Sequence, residues 1–152
     1  MDVAKYLEEK GVRFEVMHHP VAFTAQTVAA EQHVPGRMMI KAVVVKTDGK
    51  YVLAVLPSIY SVDFTKLKKV LAAKNVTLAT EQEMAKLFPD CDVGAEPPLG
   101  ELYGLPTVVE DHLATTEEVV FQAGTHTETI RMSYADFIAL TDAMRGSFGQ
   151  HI

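Results

Sequence analysis

Residues 40–57 read IKAVVVKTDGKYVLAVLP. Two apolar runs, Met39 to Lys46 and Tyr51 to Leu56, flank TDGK. The Asp48-Gly49 pair suits a tight hairpin turn, so the stretch predicts two paired strands. One residue breaks the apolar character at the start: Lys41. Side chains alternate along a strand, so Lys41 shares a face with Val43 and Val45, while Lys46 points the other way with Ala42 and Val44. A lysine so placed has two fates. Its stem can lie on apolar surface while the ammonium reaches water at the strand end. Alternatively the ammonium stands at the rim of a pocket and holds an anion, because burying it unpaired costs too much. The strand itself does not choose.

Working outward from the hairpin, DVAKYLEEKG predicts a helix capped by Asp2 and ended by Gly11. VRFEVMHHP predicts a strand with Val12, Phe14 and Val16 on one face, stopped by Pro20. TAQTVAAEQHV predicts a second helix with Thr24 as its cap and Pro35-Gly36 at its close. Beyond the hairpin, VDFTKLKKVLAAKN predicts a third helix from near Asp63 to near Asn75. TLATEQEMAKLFP carries the capping-box pair Thr80 and Glu83 and predicts a fourth, running to Phe88. DCDVGAEPPLGELYG is expected to be irregular, punctuated by glycine and proline. LPTVVED reads as a short strand, EVVFQAGTHTETIRM as a hairpin around Gly124-Thr125-His126, and SYADFIAL as a last helix capped by Ser133. The sum is a mixed α+β domain: mostly antiparallel strands, with helices on the outside. The strand order stays open.

The bulk numbers set limits. A chain of 152 residues fits one domain, 1–152, and 48% apolar content suffices for a sizeable core. The net charge of −6 argues against coating nucleic acid by overall charge, yet permits a local basic patch for one RNA end. The single cysteine, Cys91, forms no internal disulfide and is compatible with a reducing, cytoplasmic setting. No apolar run approaches the roughly 20 residues of a membrane span, and MDVAKYLEEKG lacks the apolar segment of a secretory signal, so no membrane partner is expected.

Candidate chemistry sits in VGAEPPLG, where Gly94 and Pro98 make a G-x-x-x-P spacing. Gly94 allows close approach of backbone to a ligand, and Pro97-Pro98 stiffens the chain. The N–H groups of Gly94, Ala95 and Glu96 could then form a hole for a carbonyl oxygen or a phosphate. A plain connecting loop is the alternative reading. Cys91 lies between Asp90 and Asp92, whose charges disfavour a thiolate, so it is a poor nucleophile. Ser58, Ser61, Ser133 and Ser147 lack a glycine-elbow context. His18 and His19 point to opposite strand faces, and His33, His112 and His151 are scattered, so no metal and no cofactor are expected. Lys66 and Lys69 share a face of the third helix, either as solvated surface or as a contact for phosphates.

The ordered series His19-Pro20, Thr24-Ala25, IKAVVVK, YVLAVLP, VDFTKLKK, GAEPPLG, LPTVVED and FQAGTHTETIRMSYADFIAL resembles the YbaK and prolyl-tRNA synthetase-associated editing-domain family. The resemblance runs from about His19 to about Leu140. It implies a barrel-like, mixed and largely antiparallel sheet surrounded by helices. It implies a free-standing aminoacyl-tRNA deacylase, an ester hydrolase that removes a wrong amino acid from the tRNA 3′ end in trans, often from proline tRNA. Lys41 matches the family's functional lysine, and Gly94 to Pro98 match its G-x-x-x-P loop, with Ala95, Glu96 and Pro98 as substrate-binding positions. His126, in GTH, matches a histidine that helps shape the amino-acid pocket in some members. Amides near Gly94 would polarise the scissile carbonyl, Lys41 would hold the phosphate or sugar side, and a water oriented by the ribose hydroxyl would attack. Apart from the resemblance, the phosphate reading of Lys66 and Lys69 would make them a contact for the acceptor stem, with solvated helix surface as the other reading. The implied partner is aminoacylated tRNA, with a synthetase as a further candidate. GTH leans towards alanine, one of the small side chains that a synthetase pocket discriminates poorly by binding alone. A tRNA-binding or protein-interaction module without catalysis remains the alternative.

Overall fold

The central hairpin forms as its sequence predicts. The computed structural model describes residues 2–20, 25–31 and 34–152, and the expectations placed on Thr24 and His33 lie outside them. In chain order the elements are α1 (Val3–Glu9), β1 (Phe14–His18), α2 (Ala25–Glu31), β2 (Ile40–Thr47), β3 (Lys50–Pro57), β4 (Tyr60–Val62), α3 (Phe64–Leu71) and β5 (Val76–Leu78). There follow α4 (Glu81–Leu87), β6 (Thr107–Glu110), β7 (Glu118–Gln122), β8 (Glu128–Ser133), α5 (Tyr134–Thr141), β9 (Met144–Gly146) and β10 (Gly149–His151). Strands β2 and β3 pair antiparallel from Ile40↔Pro57 to Thr47↔Lys50. Asp48 and Gly49 both take positive φ, 48° and 85°, the conformation this two-residue turn demands.

Three sheets are present among the described residues, in the orders β5-β2-β3-β6-β9, β1-β8-β7 and β10-β4. All pairings are antiparallel except β3–β6 and β6–β9. The larger two sheets are stitched where Met39 bridges Val120 and the Val120 amide donates to the Met38 carbonyl at 2.9 Å. Strand β3 lies inside the large sheet and is buried from Val52 to Pro57, which is why its sequence is a continuous apolar run. Leu53 and Val55 enter a main core with Ile40, Val44, Val109, Phe121 and Phe137. Val52, Ala54 and Leu56 face a second core with Val45, Leu67 and Phe148. No helix among the described residues is long and apolar enough to cross a membrane.

The caps follow the sequence. Asp2, Asp63, Thr80 and Ser133 each accept a first-turn amide, and Thr80 with Glu83 closes the capping box. Two expectations need correction. The third helix stops at Leu71 instead of near Asn75, because the Asp48 carboxylate takes the amides of Lys74 and Asn75 and draws the chain into β5. The loop expected to be wholly irregular contains a 3-10 turn at Gly100–Tyr103.

Candidate functional site

The second residue of β2 and the glycine-proline loop meet in one cleft. A cavity of about 350 Å³ is lined by Lys41, Gly94, Glu96, Gln122, Ser58 and Ile152, with Ala25, Gln26, Ile40 and Ala42 completing its wall. Lys41 is partly buried, and burial pushes the pKa of its ammonium below the ordinary 10.5. No ion pair ties it to any described carboxylate. Of the two fates open to this lysine, a place on the wall of a cavity is thus compatible with its position.

The loop opposite is zipped to the β7–β8 turn. The Asp92 amide donates to the Gly124 carbonyl at 2.8 Å, and the Gly124 amide donates back to the Ala95 carbonyl at 2.9 Å. The His126 amide reaches the Asp92 carboxylate at 3.3 Å, and Nε2 of His126 bonds the Val93 carbonyl at 2.8 Å. A carbonyl only accepts, so Nε2 carries the proton. Gln122 Nε2 donates to the Gly94 carbonyl at 3.4 Å. Gly94 has φ 88°, a left-handed conformation that a β-branched residue would hold only under strain. A bulky replacement there would distort the loop itself as well as obstruct an incoming ligand.

The sequence suggested three open amides, and the structure corrects that. The Gly94 N–H donates to Glu96 Oε1 at 3.1 Å, and the Ala95 N–H donates to the Asp92 carbonyl at 3.0 Å. Glu96 also draws a bond from its own amide. The physical reason is local: a carboxylate two residues after a positive-φ glycine folds back onto that glycine's N–H. Burial raises the pKa of the Glu96 carboxyl, while its own amide, that of Gly94 and the His126 charge oppose the rise.

Of the residues singled out from sequence, Lys41, Gly94 and Glu96 come together in the cavity. Ala95 and Pro98 are buried behind the loop, and His126 is buried as a clamp on Val93; none of the three lines the cavity. Lys66 and Lys69 are exposed on α3 and also lie outside it. Cys91 is partly buried beside the Tyr103 hydroxyl at 3.1 Å, and burial pushes its thiol pKa up, which suits a structural thiol. No group of three or more possible metal ligands occurs among the described residues. Sequence reasoning missed Gln122 and Ile152, and it weighed Ser58 only as a nucleophile and set it aside, not as a residue of the cavity wall. Gln122 left a trace: it ends β7 in register with Val120, a polar side chain at a buried position. Ser58 and Ile152 left none.

Residues 19–140 match the aminoacyl-tRNA editing domain family. The chain is similar to a proline–tRNA ligase of Geobacillus sp. (strain WCH70), 32% identical over 100 residues that cover 66% of this chain and 17% of that protein. A second proline–tRNA ligase, of Geobacillus thermodenitrificans (strain NG80-2), is 32% identical over 93 residues, 61% of this chain and 16% of that one. The chain thus spans only a small part of each ligase's length. Among solved structures, a protein provisionally described as a trans-editing enzyme for prolyl tRNA synthetase superposes with a TM-score of 0.87 at 23% identity, covering 97% of this chain and 94% of that one. A hypothetical protein superposes at 0.88 with 19% identity, covering 97% and 99%. At these identities the likeness is one of fold.

Proposed function

We propose that this chain, which belongs to the aminoacyl-tRNA editing domain family, hydrolyses the ester between a wrongly attached small amino acid and the 3′ end of a tRNA delivered in trans. The observation that carries this reading is the shared cavity, whose wall includes both Lys41 and Gly94. A volume of about 350 Å³ suits the ester end of one nucleotide with a small side chain. Its tRNA is proposed to be that for proline, in line with the two proline–tRNA ligases it resembles, and alanine is the proposed amino acid.

An aminoacyl ester is already activated, so hydrolysis needs positioning and charge stabilisation more than a strong nucleophile. Lys41 holds the phosphate or sugar side of the terminal nucleotide. The neighbouring ribose hydroxyl of the substrate orients the attacking water. The water oxygen adds to the carbonyl carbon, the ester C–O bond breaks, and the ribose oxygen leaves with the proton. The products are the free amino acid and an uncharged tRNA. Gly94 supplies a backbone with no side chain at the point of closest approach, and its loop presents the Glu96 carboxylate to the cavity.

A panel of mischarged tRNAs tests this reading. Fast deacylation of alanine from proline tRNA, with little loss of correctly attached proline, is the expected result. No hydrolysis of any mischarged tRNA would reject it.

A further inference from the structure

The cavity holds a second charge that hydrolysis as described above does not use. Glu96 is only 7% exposed, yet it lines the cavity, and its carboxylate is fixed by the Gly94 amide at 3.1 Å. Gln122 is 6% exposed and lines the same wall. Its Nε2 donates to the Gly94 carbonyl, which fixes which end of the amide is which. The other end, Oε1, is buried and has no hydrogen-bond partner among the described residues. A buried acceptor left unpaired is costly, and a ligand that donates to it removes the cost. Glu96 and Gln122 are thus two acceptors, one anionic, each bonded to Gly94. The cation of the cavity, Lys41, makes no ion pair with Glu96.

A ligand that satisfies all three groups needs an anionic or oxygen-rich end for Lys41 and a cationic donor for the Gly94 side. We propose that Glu96 and Gln122 bind the α-ammonium group of the amino acid, so that the site accepts aminoacyl esters with a free amine and rejects those whose amine is acylated. This inference rests on the deacylase reading for its substrate and names what that substrate must carry. An ammonium has three N–H donors, enough for a carboxylate oxygen and the Gln122 amide oxygen together. An N-acyl group offers one N–H and a carbonyl oxygen, which would face the Glu96 carboxylate. Specificity here comes from the partner left unpaired by the wrong ligand.

The test has two arms. In the first, deacylation of alanyl-tRNA and N-acetylalanyl-tRNA is compared for the wild type and for Glu96→Gln. The wild type is expected to favour the free amine by at least about 100-fold in kcat/KM, the scale of a lost charged contact. Glu96→Gln is expected to shrink that ratio at least tenfold. A merely structural role for Glu96 would slow both esters alike and leave the ratio unchanged, and that result overturns the proposal. The second arm measures binding of 3′-alanylamino-3′-deoxyadenosine 5′-phosphate, a non-hydrolysable amide, with its α-amine free or acetylated. Tighter binding of the free amine to the wild type, reduced in Gln122→Leu, supports the α-ammonium site even if no ester is hydrolysed, in which case only the deacylase reading fails. Equal binding of the two forms to the wild type overturns it, whether or not Glu96→Gln folds.

Discussion

Lys41 keeps an ammonium where the fold would prefer a neutral group. Burial lowers its pKa, so the folded state binds that proton less tightly than the unfolded chain. The unfolded chain therefore holds more protons between the lowered value and 10.5, and the contribution of Lys41 to stability rises as pH climbs through that window. At neutral pH the buried charge is a cost. Lys41→Met is expected to raise Tm by about 2 °C, the equivalent of about 0.6 kcal/mol in a domain of this size. Thermal melts of the two proteins at pH 7 check it, and a lower Tm in the variant would mean that the charge is compensated. The lysine was legible in the sequence because it interrupts a run of β-branched residues. Its counterpart was not: Glu96 and Gln122 lie 26 positions apart in the numbering and meet only because the two loops zip together. The open amides inferred for the G-x-x-x-P loop failed because the Glu96 side chain takes those of Gly94 and Glu96 and the Asp92 carbonyl takes that of Ala95, a competition that spacing does not reveal.

At the scale of elements, the hairpins and helix caps were readable and the shortest strands were not. β4, β5, β9 and β10 have three residues each, too few to show alternation. Their positions are set by distant partners. Glu110 is the clearest case: fully buried at the end of β6, it accepts the amides of Phe148 at 3.0 Å and Gly149 at 3.2 Å, as well as the His112 amide and ring. It thereby fastens the start of β10, whose following residue Ile152 lines the cavity. Burial alone would raise the Glu110 pKa, but His112 and the three amides outweigh it and hold the carboxyl below its ordinary 4.5. The stabilisation is then complete above pH 4.5 and is lost as pH falls through the lower folded value. Glu110→Ala should destabilise the protein by about 3 kcal/mol, because it strands buried amides. It should also flatten the acid limb of the stability–pH curve. Urea melts from pH 3 to pH 7 check both, and an unchanged acid limb would count against the role of Glu110. Helix α3 makes a separate prediction. Lys66 and Lys69 have no ion-pair partner among the described residues and are exposed. If they contact acceptor-stem phosphates, Lys66→Glu with Lys69→Glu should weaken tRNA binding and reduce the log–log salt slope by about 2. An unchanged slope in a binding titration across salt would return them to plain solvated surface.

At the scale of the whole molecule, a chain of net charge −6 is proposed to handle a polyanion, and the proposal rests that task on one local feature. The sheet orders bring β2, the glycine-proline loop and the β7–β8 turn to one place, so a cation, a carboxylate and an amide surround a space the size of a nucleotide end. The α+β class and the mainly antiparallel pairing followed from hairpin signals between neighbouring strands. The parallel pairings of β6 with β3 and β9 join strands remote in sequence, and no local pattern announces them. Cleavage of an aminoacyl ester in this cavity is proposed to depend on Lys41. Single-turnover deacylation of alanyl-tRNA for proline by the wild type and by Lys41→Ala tests it most directly. The account predicts a rate at least about 100-fold lower in the variant, with tRNA cleared of alanine only by the wild type; equal rates from the two proteins would contradict it.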